Sequence, residues 1–323
     1  MKNILASFFC FIMILSCNSS NKSNTSNSSS DPLPSWTDNE KKKLIIDYVT
    51  EITKENGDNF IPVEDRIAVF DNDGTLWSEV PVAEIAYNYD LFKRNVESDE
   101  SMKTPANKAI IEKGDQNLMS ITIEDVVQLF GQTKKRTGEE FNADVKNWIT
   151  KTKHPKTNRL YTEMVYQPMI ELLDFLSANG FKNYIVSGGS NVFMRNFATD
   201  IYKIPSEQVI GSTSNVKYTE NGTDVEVLPN LAVLNDKEVK VESIFQYIGK
   251  KPVVAVGNSD GDYNMLNWTS TNSKPNLQVL LHHTDDVREF KYEGNEKGVA
   301  TGTKNGWIVV DMKNDFKKIF PFE

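Results

Sequence analysis

The sequence predicts an α/β fold on a mainly parallel sheet, and three observations predict it. Short continuous apolar runs alternate with helical patterns, as in strands covered on both faces. Each of three such runs leads straight into a polar cluster: Asp71-Asn72-Asp73, Ser187-Gly188-Gly189-Ser190, and Gly257-Asn258-Ser259-Asp260-Gly261-Asp262. A long stretch between the first and second clusters, 77–156, reads as mostly helical. In parallel sheets a ligand sits at the carboxyl ends of the strands, so three clusters distant in sequence would meet at one edge.

The chain has 323 residues, enough for a sizeable core and one or two domains. A hydrophobic content of 39% and a charged content of 25% are those of a globular protein. The net charge of −9 excludes a general nucleic-acid binder, which would carry a basic face.

The first segment differs from the rest. A short basic start, Met1-Lys2-Asn3, precedes an apolar run over 4–15 that is too short to span a bilayer and fits an export signal. It ends Ile14-Leu15-Ser16-Cys17, which resembles the bacterial lipoprotein signal. That resemblance implies cleavage before Cys17, lipid on that residue and attachment to the bacterial cell envelope; a plain secretory signal is the alternative. The two cysteines are Cys10 and Cys17, so no disulfide can form beyond residue 17. The Ser/Asn-rich stretch over 18–33 cannot bury apolar surface and reads as a tether.

The folded part is expected from Pro34. An amphipathic helix over 36–56 carries Leu44, Ile45, Tyr48, Val49 and Ile52 on one side. A buried strand follows at Ile67-Ala68-Val69-Phe70. Within 77–156, the runs 121–130 and 141–149 are the clearest helical patterns. A helix over 169–178 stops at Asn179-Gly180, a C-cap signal. A strand over 184–186 runs into the Ser187 cluster, and a helix over 192–202 follows, which would put Ser187, Gly188 and Gly189 at a helix N-terminus. The runs 209–218 and 225–233 form a hairpin across Glu220-Asn221-Gly222. A helix over 241–248, a strand over 253–256, a helix from Tyr263 to Trp268 and a strand over 277–281 complete the pattern.

Asp71 and Asp73 would repel each other unless a cation offset them. Oxygen ligands from Asp71, the Asp73 backbone and the 258–262 loop suit Mg²⁺, a hard ion that keeps some waters. One carboxylate is then free to act as nucleophile and the other to move a proton. Ser187 with the Gly188 and Gly189 amides suits a phosphate, and Lys240 or Lys237 completes the charge balance. Together these parts describe phosphoryl transfer through an aspartyl-phosphate.

In order along the chain, Asp71-Asn72-Asp73-Gly74-Thr75, Ser187, Lys240 and the 257–262 loop resemble the four motifs of the haloacid dehalogenase superfamily. The likeness spans about 66–283, and the Ser187-Gly188-Gly189 turn with its hairpin resembles the phosphoserine phosphatase branch. The resemblance implies a Rossmann-like core over 34–76 and 157–323 and a helical cap over 77–156. It implies Asp71 as nucleophile, Asp73 as general acid and base, and Ser187, Gly188, Lys240 and Thr75 on the phosphate, with Thr75 also orienting Asp71. Its metal would be Mg²⁺ on Asp71, Asp73 and the fourth motif. There the usual aspartate is Asn258, whose amide oxygen is the expected ligand with Asp262 behind it; Asp260 or Asp262 is the alternative ligand. The expected activity is hydrolysis of small phosphate monoesters, and the alternative is a weakly active binding or scaffolding lipoprotein. Trp77, Glu79 and His283 lie near the site as candidate substrate contacts. For Trp77 the competing role is packing at the cap hinge, for Glu79 solvation, and for His283 a packed, hydrogen-bonded histidine.

Overall fold

A computed structural model describes residues 31–121, 125, 128, 129, 131 and 135–323. The signal, Cys17 and all of the expected tether but its last three residues lie outside the described residues, as does most of the helix expected over 121–130. Residues Pro32–Glu323 form one compact unit. It begins ahead of the expected Pro34 because Leu33 is itself fully buried in the core.

Eight strands among the described residues form one sheet. They are β1 (Ile67–Phe70), β2 (Arg136–Thr137), β3 (Lys182–Ser190), β4 (Val209–Tyr218), β5 (Val225–Val233), β6 (Val254–Gly257), β7 (Leu277–His282) and β8 (Ile308–Asp311), in the order β2-β5-β4-β3-β1-β6-β7-β8. β1 lies at the centre, parallel to β3 and to β6, with Phe70 level with Ile185 and Val256. Parallel pairing continues through β4 on one side and through β7 and β8 on the other. β5 and β2 are antiparallel additions.

β1 shows why the sheet is buried on both faces. Ala68 and Phe70 point into one apolar cluster, with the helices Glu40–Thr53 and Gln167–Ala178. Ile67 and Val69 point into a second, with Ile244, Met265, Leu266 and Trp307. Successive side chains on a strand face opposite ways, so a run with no polar residue needs two covering layers. Fully burying each such side chain contributes roughly 1.5–3 kcal/mol.

The insert over 77–156 carries the helices Ala83–Ser98, Pro105–Gln116 and Gly138–Ile149. Tyr89, Phe92, Val96, Ile110 and Leu129 form its own small core. A purely helical reading omits β2, which pairs with β5 through Arg136 opposite Val227. The helix after β2 starts on a capping box, Thr137 with Glu140, so strand and helix share one turn.

The sequence reading differs at the second cluster. β3 continues through Ser187, Gly188 and Gly189 to Ser190, with a register shift against β4 between Val186 and Ser190. The helix after it is broken into Asn191–Met194 and Ala198–Tyr202. The expected long helix, and with it a helix N-terminus at Ser187, is therefore absent. The cluster is instead an irregular strand end, where bulged backbone re-aims its groups.

Candidate active site

The carboxyl ends of β1, β3, β6 and β7 lie side by side, and each delivers functional side chains. After Phe70 the chain turns sharply. Thr75 and Leu76 amides donate to the Asn72 carbonyl at 3.1 and 2.8 Å, and the Gly74 amide donates to the Trp77 carbonyl at 2.8 Å. Gly74 sits at φ +75°, and a Cβ there would fall 2.1 Å from Asn258 Nδ2, 2.6 Å from the Tyr292 hydroxyl and 2.7 Å from Glu79 Oε2. Only glycine fits that conformation and that approach.

The two aspartates have different partners. Lys240, third in the helix Glu238–Tyr247 and 3% exposed, places Nζ 2.7 Å from Asp71 Oδ1 and 2.6 Å from Asp262 Oδ1. Lys237, the other candidate, is exposed. Asp73 Oδ1 instead accepts from the Trp77 indole N–H at 2.8 Å. Burial pushes the Asp71 carboxyl well above its usual range, and the neighbouring Asp262 charge adds to this against Lys240. Burial also raises Asp73, with the Trp77 hydrogen bond opposing it. The Lys240 ammonium, which burial alone would lower, is held above its ordinary value by Asp262 and Asp71.

Ser187 is 1% exposed, and its Oγ accepts from the Gly189 amide at 3.0 Å. A Cβ on Gly189 would sit 3.4 Å from Glu84 Oε2, 3.4 Å from Ser187 Oγ and 3.5 Å from Asp73 Oδ2, so these three side chains converge on one spot. The Gly188 carbonyl accepts from Ser212 Oγ at 2.6 Å, and the Ser187 carbonyl from Asn235 Nδ2 at 3.0 Å. β4 and the loop before the Lys240 helix thus brace the strand end from behind.

The third loop is organised by Asp262, whose Oδ2 accepts from the Asn258 and Ser259 amides at 3.0 and 3.1 Å. Asp260 faces away: its carboxylate accepts from the Lys297 and Gly298 amides at 3.3 and 2.9 Å, at the start of the helix Glu296–Asn305. Asn258 Oδ1 accepts from Thr75 Oγ1 at 3.2 Å, in the turn that follows the two aspartates. The Thr75 hydroxyl thus ties the turn after β1 to the loop after β6.

The three outlying candidates separate. Trp77 is 1% exposed and stacks on Phe197 at 4.7 Å, so its rings are packed, and its indole N–H meets Asp73. His283 is buried, with Nε2 2.8 Å from the Gly74 carbonyl and Nδ1 3.2 Å from Glu289 Oε2, which makes it a packed, hydrogen-bonded histidine. Glu79 is not a solvated surface acid. Its Oε2 accepts from Asn258 Nδ2 at 3.1 Å, and burial raises its carboxyl, with a Tyr292 hydrogen bond opposing.

Sequence reasoning missed Glu84, Glu289 and Tyr292. Burial lifts the Glu84 carboxyl to about 7 against a hydrogen bond from the Ser190 amide. Glu84 lines a cavity of about 40 Å³ with Tyr87, Asn88, Arg136, Phe141 and Ser190. Glu289 accepts from Ser78 Oγ and the Tyr166 hydroxyl at 2.9 and 2.8 Å besides meeting His283. Only the closeness of Glu289 and Tyr292 to His283 in sequence offered a signal.

The donor set fits a hard divalent cation. Among the described residues no three His, Cys, Asp or Glu side chains form a ready-made metal cluster. The available donors are mixed: the Asp71 carboxylate, Asp73 and the Asn258 amide oxygen, which suits an ion such as Mg²⁺ that retains waters. The charge balance points the same way. Asp71 and Asp262 share one ammonium, Lys240, and burial pushes the Asp71 and Asp73 carboxyls toward the neutral form, which a bound cation would offset.

These residues gather at the carboxyl edge of a mixed α/β fold whose sheet is mostly parallel. A family model for haloacid dehalogenase-like hydrolases matches residues 68–267, and the chain belongs to that family. Among solved structures it resembles a functionally unknown protein from Anaerococcus prevotii, at 17% identity and a TM-score of 0.56 over 85% of this chain and 94% of that one. It also resembles a protein of unknown function from Bordetella pertussis (14%, TM-score 0.47, 76% and 98%). A phosphoserine phosphohydrolase-like protein from Francisella tularensis is similar too (16%, TM-score 0.43, 76% and 94%). No curated protein matches the sequence. The structural likenesses bear on the fold alone.

Proposed function

We propose that the protein hydrolyses small phosphate monoesters through an aspartyl-phosphate, an acyl phosphate on Asp71. The observation that carries this reading is the unequal pairing of the two acids, Asp71 on the Lys240 ammonium and Asp73 on the Trp77 indole. An Asp71 oxygen attacks phosphorus and the bond to the leaving oxygen breaks. Asp73, protonated, gives its proton to that oxygen. Asp73 then takes a proton from water, the water attacks phosphorus, and phosphate leaves with Asp71 restored. Lys240 and the Ser187 turn hold the phosphoryl oxygens where charge develops. A Mg²⁺ ion on Asp71, Asp73 and Asn258 would neutralise the acids and the phosphate.

The small cavity beside Glu84 takes the alcohol part of the ester, and its size favours compact substrates. The test is release of phosphate from an aryl phosphate with Mg²⁺ and with EDTA. Release that stops in EDTA and returns with Mg²⁺ supports the reading. No release under either condition overturns it in favour of a binding protein.

We also propose that the chain is exported and held at the cell envelope by lipid on Cys17. The apolar run ending at Cys17 and the Ser/Asn stretch support this. Cys17→Ala should leave the membrane fraction or remain unprocessed; unchanged processing and retention would count against lipidation.

A further inference from the structure

An asparagine ligand has a disadvantage that an aspartate lacks. Its two ends differ: the oxygen can bind a cation and the amide nitrogen cannot. Asn258 stands between two sets of partners. On one side Oδ1 meets the Thr75 hydroxyl, close to the aspartates. On the other side Nδ2 donates to Glu79 Oε2 at 3.1 Å and to the Tyr292 hydroxyl at 3.2 Å. Glu79 arrives from the turn after β1 and Tyr292 from the segment beyond β7, where it stacks on His283 at 4.2 Å. Both press against Gly74, and a side chain there would push them off the amide.

We infer that Glu79 and Tyr292 are positioning residues that fix which end of the Asn258 amide faces the cation site, with Glu79 supplying the negative charge that Asn258 does not carry. Two acceptors on one side leave the amide a single orientation, with its oxygen toward Thr75. The glutamate also places a half-buried carboxylate one residue behind a neutral ligand, where a partner of this kind tunes ligand strength. This inference rests on the proposed Mg²⁺ site, and it predicts an interaction between positions 79 and 258 that plain charge addition does not.

The experiment measures Mg²⁺ binding without substrate, by calorimetry and by the rise in melting temperature on adding Mg²⁺ to the full folded chain. Glu79→Gln should weaken Mg²⁺ roughly 10- to 100-fold, the range for such supporting partners. Tyr292→Phe, which removes a single hydroxyl, should weaken it by a smaller factor while melting normally in EDTA. In an Asn258→Asp background, Glu79→Gln should lose its effect, since an aspartate has no wrong end and no missing charge. Wild-type affinity in both Glu79→Gln and Tyr292→Phe overturns the inference. So does an equal loss from Glu79→Gln with and without the Asn258→Asp substitution. A wild type that binds Mg²⁺ but releases no phosphate overturns the proposed function alone; a wild type that binds no Mg²⁺ overturns both.

Discussion

Lys240 Nζ lies 2.7 Å from Asp71 Oδ1, a contact closed across 169 residues of sequence. The same ammonium meets Asp262 at 2.6 Å, so one cation joins the ends of β1 and β6. Removing one member of a buried pair leaves an uncompensated charge, which is far worse than losing an exposed pair. Lys240→Met should therefore abolish activity and destabilise the fold by about 3 kcal/mol at pH 7.5 in EDTA. The loss should shrink at pH 5, where the stranded acids take up protons. Urea denaturation at both pH values checks this; a change below about 1 kcal/mol at pH 7.5 would contradict a buried, charged triad.

The Trp77 indole holds Asp73 by a single hydrogen bond while its rings pack on Phe197. Trp77→Phe retains most of the packing and removes the donor. A hydrogen bond to a charged group contributes about 1.5–3 kcal/mol, so kcat should fall roughly 10- to 100-fold. KM and melting temperature should change little. An unchanged kcat would show that Asp73 is held in place by something else.

Glu84 gives a pH signature. Burial lifts its carboxyl from 4.5 to about 7 in the folded chain. Between those values the folded state keeps a proton that the unfolded state has lost, so its contribution to stability falls as pH rises. That contribution is complete below pH 4.5 and gone above about 7. Glu84→Gln keeps the oxygen that accepts from Ser190 and removes the titration. The variant should gain on wild type by about 3 kcal/mol at pH 8 relative to pH 4.5, measured by urea denaturation in EDTA. A difference independent of pH would place the Glu84 carboxyl in ordinary solvent.

The sheet was legible because apolar runs such as Val254–Gly257 cannot be anything but covered strands, and because each ends on polar residues. Asp71, Lys240 and Asn258 followed from that edge. The Asn221-Gly222 turn fixed the hairpin to its exact bounds. What stayed hidden depends on contacts that no local pattern records. β2 is two residues long, and only its partner β5 makes it a strand. Thr137 and Glu140 mark a helix start in sequence, but nothing there marks Arg136 and Thr137 as a strand. The Ser187 turn was misplaced because glycines after a strand read equally as a helix start or as a bulge. Glu79 looked like a surface acid, since nothing near it in sequence shows that Asn258, 179 residues on, bonds to it. Glu84 sits on an amphipathic helix where one acid looks like another, and only its burial against Ser190 sets it apart.

The central claim is that Asp71 becomes phosphorylated while Asp73 moves protons, and covalent trapping tests it most directly. The protein is mixed with a labelled aryl phosphate and Mg²⁺, quenched in acid, and the modified peptide is mapped by mass. Wild type should give label on Asp71, and Asp71→Asn none. Asp73→Asn should accumulate the Asp71 acyl phosphate slowly and fail to clear it, because water then lacks its base. Label on Asp73, or full turnover by Asp71→Asn, would contradict the account.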